Sequence, residues 1–201
     1  MDTDLHLDPS TALLVVDVQH DFADPHGGLY VPDGEAIVPG INALVAAARP
    51  AGSTVVATQD WHPPSTPHFA TDGGVWPVHC VRDTWGAALH RDLSRDADLI
   101  LRKGTGGEDG YSAFGVADPT TGATTPTGLA AYLSARGITR VVVVGLALDV
   151  CVKATALDAV TAGLDTTVRA DLCRAVDLSP GDGDAAVAAM QEAGVSVRGL
   201  V

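Results

Sequence analysis

Lysine and arginine are scarce in this sequence, 12 against 25 aspartates and glutamates, for a formal charge of −13. A phosphate backbone or an anionic membrane surface would be repelled by such a chain, so neither nucleic acid nor membrane is expected as its main partner and a small neutral ligand fits better. Cysteines number three, Cys80, Cys151 and Cys173, with no CxxC pair, which argues against a disulfide framework and leaves at least one thiol free. No run approaches the roughly 18 uninterrupted apolar residues of a membrane span. Met1-Asp2-Thr3-Asp4 also lacks the basic start of a secretion signal, and a cytoplasmic protein is expected. Charged residues are only 18% and hydrophobic ones 46%, a balance that excludes the disordered classes. Aromatic residues make up only 4%, so where they fall is informative.

What the sequence does contain is an alternation of β-branched apolar runs with alanine-rich segments of helical period, the pattern of repeated βα units around a parallel sheet. Six strands are predicted near 12–17, 54–59, 98–102, 140–145, 165–169 and 195–198, with helices near 35–48, 127–136, 149–162 and 183–193. The expected class is α/β, a three-layer α/β/α fold with a six-stranded, mainly parallel, Rossmann-like sheet. In 201 residues there is no internal repeat, linker or low-complexity tract, so residues 1–201 read as one domain. Two segments break the rhythm, 61–90 and 104–125. They are long and rich in Gly, Pro and Thr, yet hold most of the aromatic residues, and ordered loops of that kind on an α/β scaffold tend to carry function.

Open α/β sheets bind ligands outside the carboxyl ends of their strands, so the residues that end each apolar run are the ones to inspect. The first run ends in Asp17, the second in Asp60 and the third in Lys103. The fourth passes through Gly145-Leu146-Ala147 into Asp149-Val150-Cys151. Taken alone, an Asp is a helix cap, a Cys a small buried hydrophobe and a Lys beside an Asp a surface pair. Arriving together at one sheet edge they form a nucleophilic apparatus, since a thiol needs a base to take its proton and a cation to favour the thiolate. A helix beginning near Cys151 would add its positive end and depress the thiol pKa further.

A second constellation is Asp60-Trp61-His62, then His68, then His79. Asp60 and His62 are two apart at the end of an extended run and project to one side, while His68 and His79 can return on the loop. A carboxylate with two or three imidazoles suits one divalent transition metal ion, namely zinc, iron or manganese. His6, His20, His26 and His90 lack such company and are assigned no metal role.

These residues, with Asp17-Val18-Gln19-His20-Asp21-Phe22, Trp76-Pro77-Val78-His79-Cys80, Tyr111-Ser112-Ala113-Phe114 and Gly145-Leu146-Ala147-Leu148-Asp149-Val150-Cys151, resemble the nicotinamidases, also called pyrazinamidases, of the isochorismatase-like cysteine hydrolases. The resemblance runs nearly end to end. It implies an isochorismatase-like fold and hydrolysis of nicotinamide, and also of pyrazinamide, through a thioester, with release of ammonia. Cys151 would be the nucleophile, Asp17 its general base and later acid, and Lys103 the cation holding both. Asp60, His62, His68 and His79 would bind the metal, which grips the ring nitrogen of a small aromatic amide. The peptide between Leu146 and Ala147 would be cis, turning the N–H groups of Ala147 and Cys151 toward the oxyanion. Phe22, Trp76 and Tyr111 would line the ring pocket.

The chain departs from the family pattern at His20, at Leu148 and in the loop 105–110, which bears on substrate preference more than on reaction type. Two rivals are distinguishable. One is a related amidase acting on a carbamoyl or ureido compound without the metal quartet; the other is a noncatalytic metal-binding scaffold. The apolar C-terminal strand reads either as a covered edge or as the interface of a homo-oligomer.

Overall fold

A strand buried on both faces of a parallel sheet has no reason to alternate polar and apolar residues. Thr11–Val16 does not alternate: all six of its residues are buried. The structure, a computed structural model, describes residues 5–200, so the Met1–Asp4 segment read for a secretion signal lies outside the described residues. The chain runs through β1 (Thr11–Val16), α1 (His20–Ala23), α2 (Val38–Ala48), β2 (Thr54–Asp60) and β3 (Leu99–Lys103). A short hairpin of β4 (Gly115–Ala117) and β5 (Thr124–Pro126) follows, then α3 (Leu129–Ser134), β6 (Arg140–Leu146), α4 (Lys153–Thr161), β7 (Asp165–Arg174), α5 (Asp182–Glu192) and β8 (Ser196–Arg198).

Six strands form one sheet in the order β3-β2-β1-β6-β7-β8, and every neighbouring pair is parallel. The strands march outward from β1 in one direction and from β6 in the other, so the order reverses between these two and opens a crevice at their carboxyl ends. Each face has its own core. Leu13, Val15, Val55 and Val144 pack against Ile41 and Val45 of α2, while Ala12, Leu14, Val141 and Val143 meet Leu133, Ala156 and Met190 of α3, α4 and α5. The expected three-layer α/β architecture is therefore found.

The differences from expectation have local causes. The predicted helix 35–48 begins as a 3-10 turn at Gly34–Ile37, and the α-helix proper starts only at Val38. Pro39 then falls in its first turn, where a missing N–H is harmless. Gly128, at φ +91°, holds α3 back to Leu129. Leu148–Val152 is a wide π-type turn before α4, so Cys151 stands inside that turn and not at the start of an α-helix. β7 extends to Arg174 because its pairing with β6 skips: Val143 faces Val168, but Gly145 faces Cys173. The β4–β5 hairpin lies inside a segment read as loop. No helix among the described residues is long and apolar enough to cross a membrane.

Candidate active site

The switch between β1 and β6 delivers the reactive groups. Asp17 follows β1 in the left-handed region at φ +49°, a conformation Asp tolerates better than most residues. Its carboxylate turns back under the sheet edge, accepts a hydrogen bond from Thr58 Oγ1 at 2.6 Å and meets Lys103 Nζ at 2.7 Å. Lys103, at the end of β3, also contacts Asp60 Oδ1 and the carbonyl of Gly110, and lies 3.7 Å from Cys151 Sγ. Asp17, Asp60 and Cys151 each place a ligand-type atom within 4.8 Å of the others. Two strand ends and one turn thus bring Asp17, Lys103 and Cys151 into mutual reach.

Burial sets the charges. It pushes the Asp17 carboxyl up, Lys103 opposes this, and the charge of Asp60 adds to it, leaving a pKa of about 6. Burial disfavours the Lys103 ammonium, but Asp17 and Asp60 outweigh it and hold the group protonated. Asp60 is held below the usual carboxylate range: burial would raise it, yet Lys103 and then His62 prevail. The Cys151 thiol is raised well above its ordinary value, by burial first; Lys103 lowers it and the two carboxylates raise it again. This corrects the expectation of a depressed thiol. The π-type turn replaces the helix start that was to supply positive potential, and two anions stand beside one cation.

His62, His68 and His79 form the second cluster, with ligand nitrogens all within 4.8 Å of one another. Asp60 Oδ2 lies 3.7 Å from His62 Nε2 and 3.9 Å from His79 Nε2. His68 Nδ1 pairs with Asp109 Oδ1 at 2.6 Å, and His79 Nδ1 with the carbonyl of Pro77 at 2.7 Å. Each ring therefore has its Nε2 left for a ligand, the arrangement in which outer partners orient metal-binding histidines. Both ring nitrogens of His62 are buried with no hydrogen-bond partner, a cost that a coordinated cation would remove. Burial holds His79 down to about 4 and lowers His68 as well, so these two imidazoles are neutral near pH 7. The donor set fits a divalent transition metal ion.

Above both clusters lies a small pocket lined by Asp60, His68, His79, Ala147 and Cys151 together with Phe22, Trp76 and Tyr111. Trp76 Nε1 donates to Tyr111 Oη at 2.9 Å, which fixes the two rings together. The peptide between Leu146 and Ala147 is cis. Asp17, Lys103 and His62 sit beneath the floor, almost wholly buried.

Several contributors were not singled out in the sequence. Leu29, Val31, Val150 and Val176 complete the apolar wall. Gln19 clamps β1 to β2, donating to the carbonyl of Asp60 and accepting from its N–H, both at 2.8 Å. Asp109 reads in the sequence only as part of a loop. The sequence signal was its place two residues before Tyr111 in a long loop, which marks a functional segment without saying that the carboxylate turns to His68.

The sequence matches the isochorismatase domain over residues 11–199. The chain belongs to the isochorismatase family. This isochorismatase-family chain is 42% identical to the nicotinamidase of Acinetobacter baylyi over 186 residues, 84% of this chain and 83% of that protein. Its fold is similar to that of PnC1 from L. infantum, solved in complex with nicotinate, with a TM-score of 0.88 and 38% identity over 98% of both chains. The pyrazinamidase of Pyrococcus horikoshii, solved in complex with zinc, superposes with a TM-score of 0.83 at 37% identity, covering 96% of this chain and 100% of that one.

Proposed function

We propose that this chain is a nicotinamidase, a metal-associated cysteine amidohydrolase that converts nicotinamide, and also pyrazinamide, to the carboxylic acid and ammonia. The observation that carries the reading is the adjacency of Cys151 Sγ, 3.7 Å from Lys103 Nζ, to three imidazoles clustered within 4.8 Å. A nucleophile and a ring-nitrogen grip then face one cavity.

In the first step the Cys151 thiol gives its proton to Asp17 and the sulfur attacks the carboxamide carbon. A pKa of about 6 leaves Asp17 mostly ionised near pH 7, ready to take that proton. The raised thiol pKa keeps sulfur protonated in the resting enzyme, and Lys103 offsets the negative charge as it forms. The backbone N–H groups of Ala147 and Cys151 serve the oxyanion, a role worth ~10²-fold in rate or more. As the C–N bond breaks, protonated Asp17 hands its proton to the leaving nitrogen, releasing ammonia and leaving a thioester on Cys151. Water then adds to the thioester carbon with Asp17 taking its proton. The acid departs, and the same proton returns to sulfur.

Asp60, His62, His68 and His79 would hold one divalent ion, which we read as zinc, iron or manganese; when bound it supplies a Lewis-acid grip on the pyridine nitrogen. Phe22, Trp76 and Tyr111 flank the flat ring. The imidazole cluster favours an aromatic amide over a carbamoyl or ureido compound. We place residues 1–201 in one domain and the enzyme in the cytoplasm, acting on no nucleic acid or membrane. β8, at the sheet edge, is where a second copy would pair to form a homo-oligomer.

Ammonia release from nicotinamide, pyrazinamide, benzamide and an aliphatic amide tests the assignment. Turnover of the first two, with benzamide much slower because it lacks the ring nitrogen, is the expected order. A preference for ureido or aliphatic amides would overturn it.

A further inference from the structure

His20, Asp24 and His90 form a second cluster of ligand-type side chains, with one donor atom from each within 4.8 Å of the others. All three are at least nine-tenths buried, at 4%, 3% and 5% exposure. None lines the catalytic cavity. His20 and Asp24 come from α1 and its C-cap, and His90 from the loop before β3. That loop is laced to the first segment by backbone bonds: His20 N–H donates to Ala88, Asp21 N–H to Gly86, and His90 N–H to Val18. The three groups are thus held in register by backbone that does not depend on them.

The independent observation is His20 Nδ1, a buried ring nitrogen with no hydrogen-bond partner. An unsatisfied buried nitrogen is costly, and two imidazoles with a carboxylate make a donor set for a borderline divalent ion. Asp24 has other partners. Its Oδ1 accepts from the N–H and Nδ1 of His26, and its Oδ2 lies 3.2 Å from an Arg91 nitrogen. Both partner side chains are mostly exposed, at 90% and 72%, and can swing aside for an ion. The ring of Trp85 stacks on His20 with centroids 4.5 Å apart, and Trp85 is 52% exposed. It covers the cluster from outside and is a built-in reporter.

We infer that His20, Asp24 and His90 form a second transition-metal site, separate from the catalytic cavity, at the seam between the α1 segment and the loop 86–90. Nickel is the probe, because as a paramagnetic ion it quenches an adjacent indole. The full chain is dialysed against nickel and its bound metal counted, with tryptophan emission followed in parallel. Wild type is expected to bind two equivalents, one of them quenching Trp85. His20→Asn and His90→Gln should each lose one equivalent and that quenching while retaining nicotinamide turnover when metal-loaded. His79→Ala should keep the equivalent that quenches Trp85, and Trp85→Phe should keep both equivalents but lose that part of the quenching, leaving only what an ion beside Trp76 causes. A single equivalent in wild type, or two in folded His20→Asn, would overturn the inference. Retained turnover in the His20 and His90 variants shows that they are folded, so loss of one equivalent there is not a folding artefact.

Discussion

In the proposed mechanism Asp17 holds a proton in one half of the reaction and releases it in the other, and its surroundings suit that task. Burial drives its pKa up and Lys103 limits the rise, to about 6. The carboxylate form is the base, so kcat/KM should fall as pH drops through this value in proportion to the ionised fraction. A cation against Asp60 removes one of the charges that raise Asp17, so the acid limb of the metal-loaded enzyme should lie at or below about pH 6. Asp17→Asn should abolish the limb and cost roughly 10²–10⁴-fold in rate, as loss of a general base does. An unchanged limb in that variant would assign the titration to another group. A second residue acts at one remove. Asp109 holds His68 at 2.6 Å, and Asp109→Asn should weaken metal affinity about 10–100-fold, the usual effect of losing an outer-sphere carboxylate. Zinc titration of the metal-free protein measures this directly, whatever happens to turnover.

At the scale of elements, the junction of β1 and β6 is what brings Asp17 beside Cys151. Gly145 sits there at φ +118°, and a Cβ on it would fall 2.1 Å from the carbonyl oxygen of Val16. Gly145→Ala therefore both strains the backbone and forces the strands apart, and should destabilise the fold by about 3 kcal/mol or more. A thermal melt reads this, and a variant as stable as the parent would show that the two strands need not approach so closely. The first three strands were legible because each is a short apolar run with a charged residue at its carboxyl end. Asp17, Asp60 and Lys103 were found by reading those ends. The loop carriers were legible only as residue types: nothing in 61–90 fixes that His62 stacks on His68 with centroids 4.6 Å apart. The setting of the thiol is not legible in the sequence, because helical periodicity does not separate a π-type turn from a helix start. The cluster at His20 is not legible in the sequence, because His90 lies 70 positions away in the chain and reaches it only through the fold.

For the whole molecule, two cores, one on each face of the sheet, are large enough to hold the fold without an ion at the imidazole cluster. Chelation should leave far-ultraviolet circular dichroism and cooperative unfolding in place while substrate binding is lost. Collapse of the spectrum on chelation would make the metal structural. The central claim, that the sheet edge gathers a cysteine nucleophile with its proton carrier and lysine, is tested most directly by ammonia release from nicotinamide. Metal-loaded wild type is compared with Cys151→Ala of matching circular dichroism. Turnover by wild type with none by the variant is the predicted result, and near-normal ammonia release by the folded variant would contradict it.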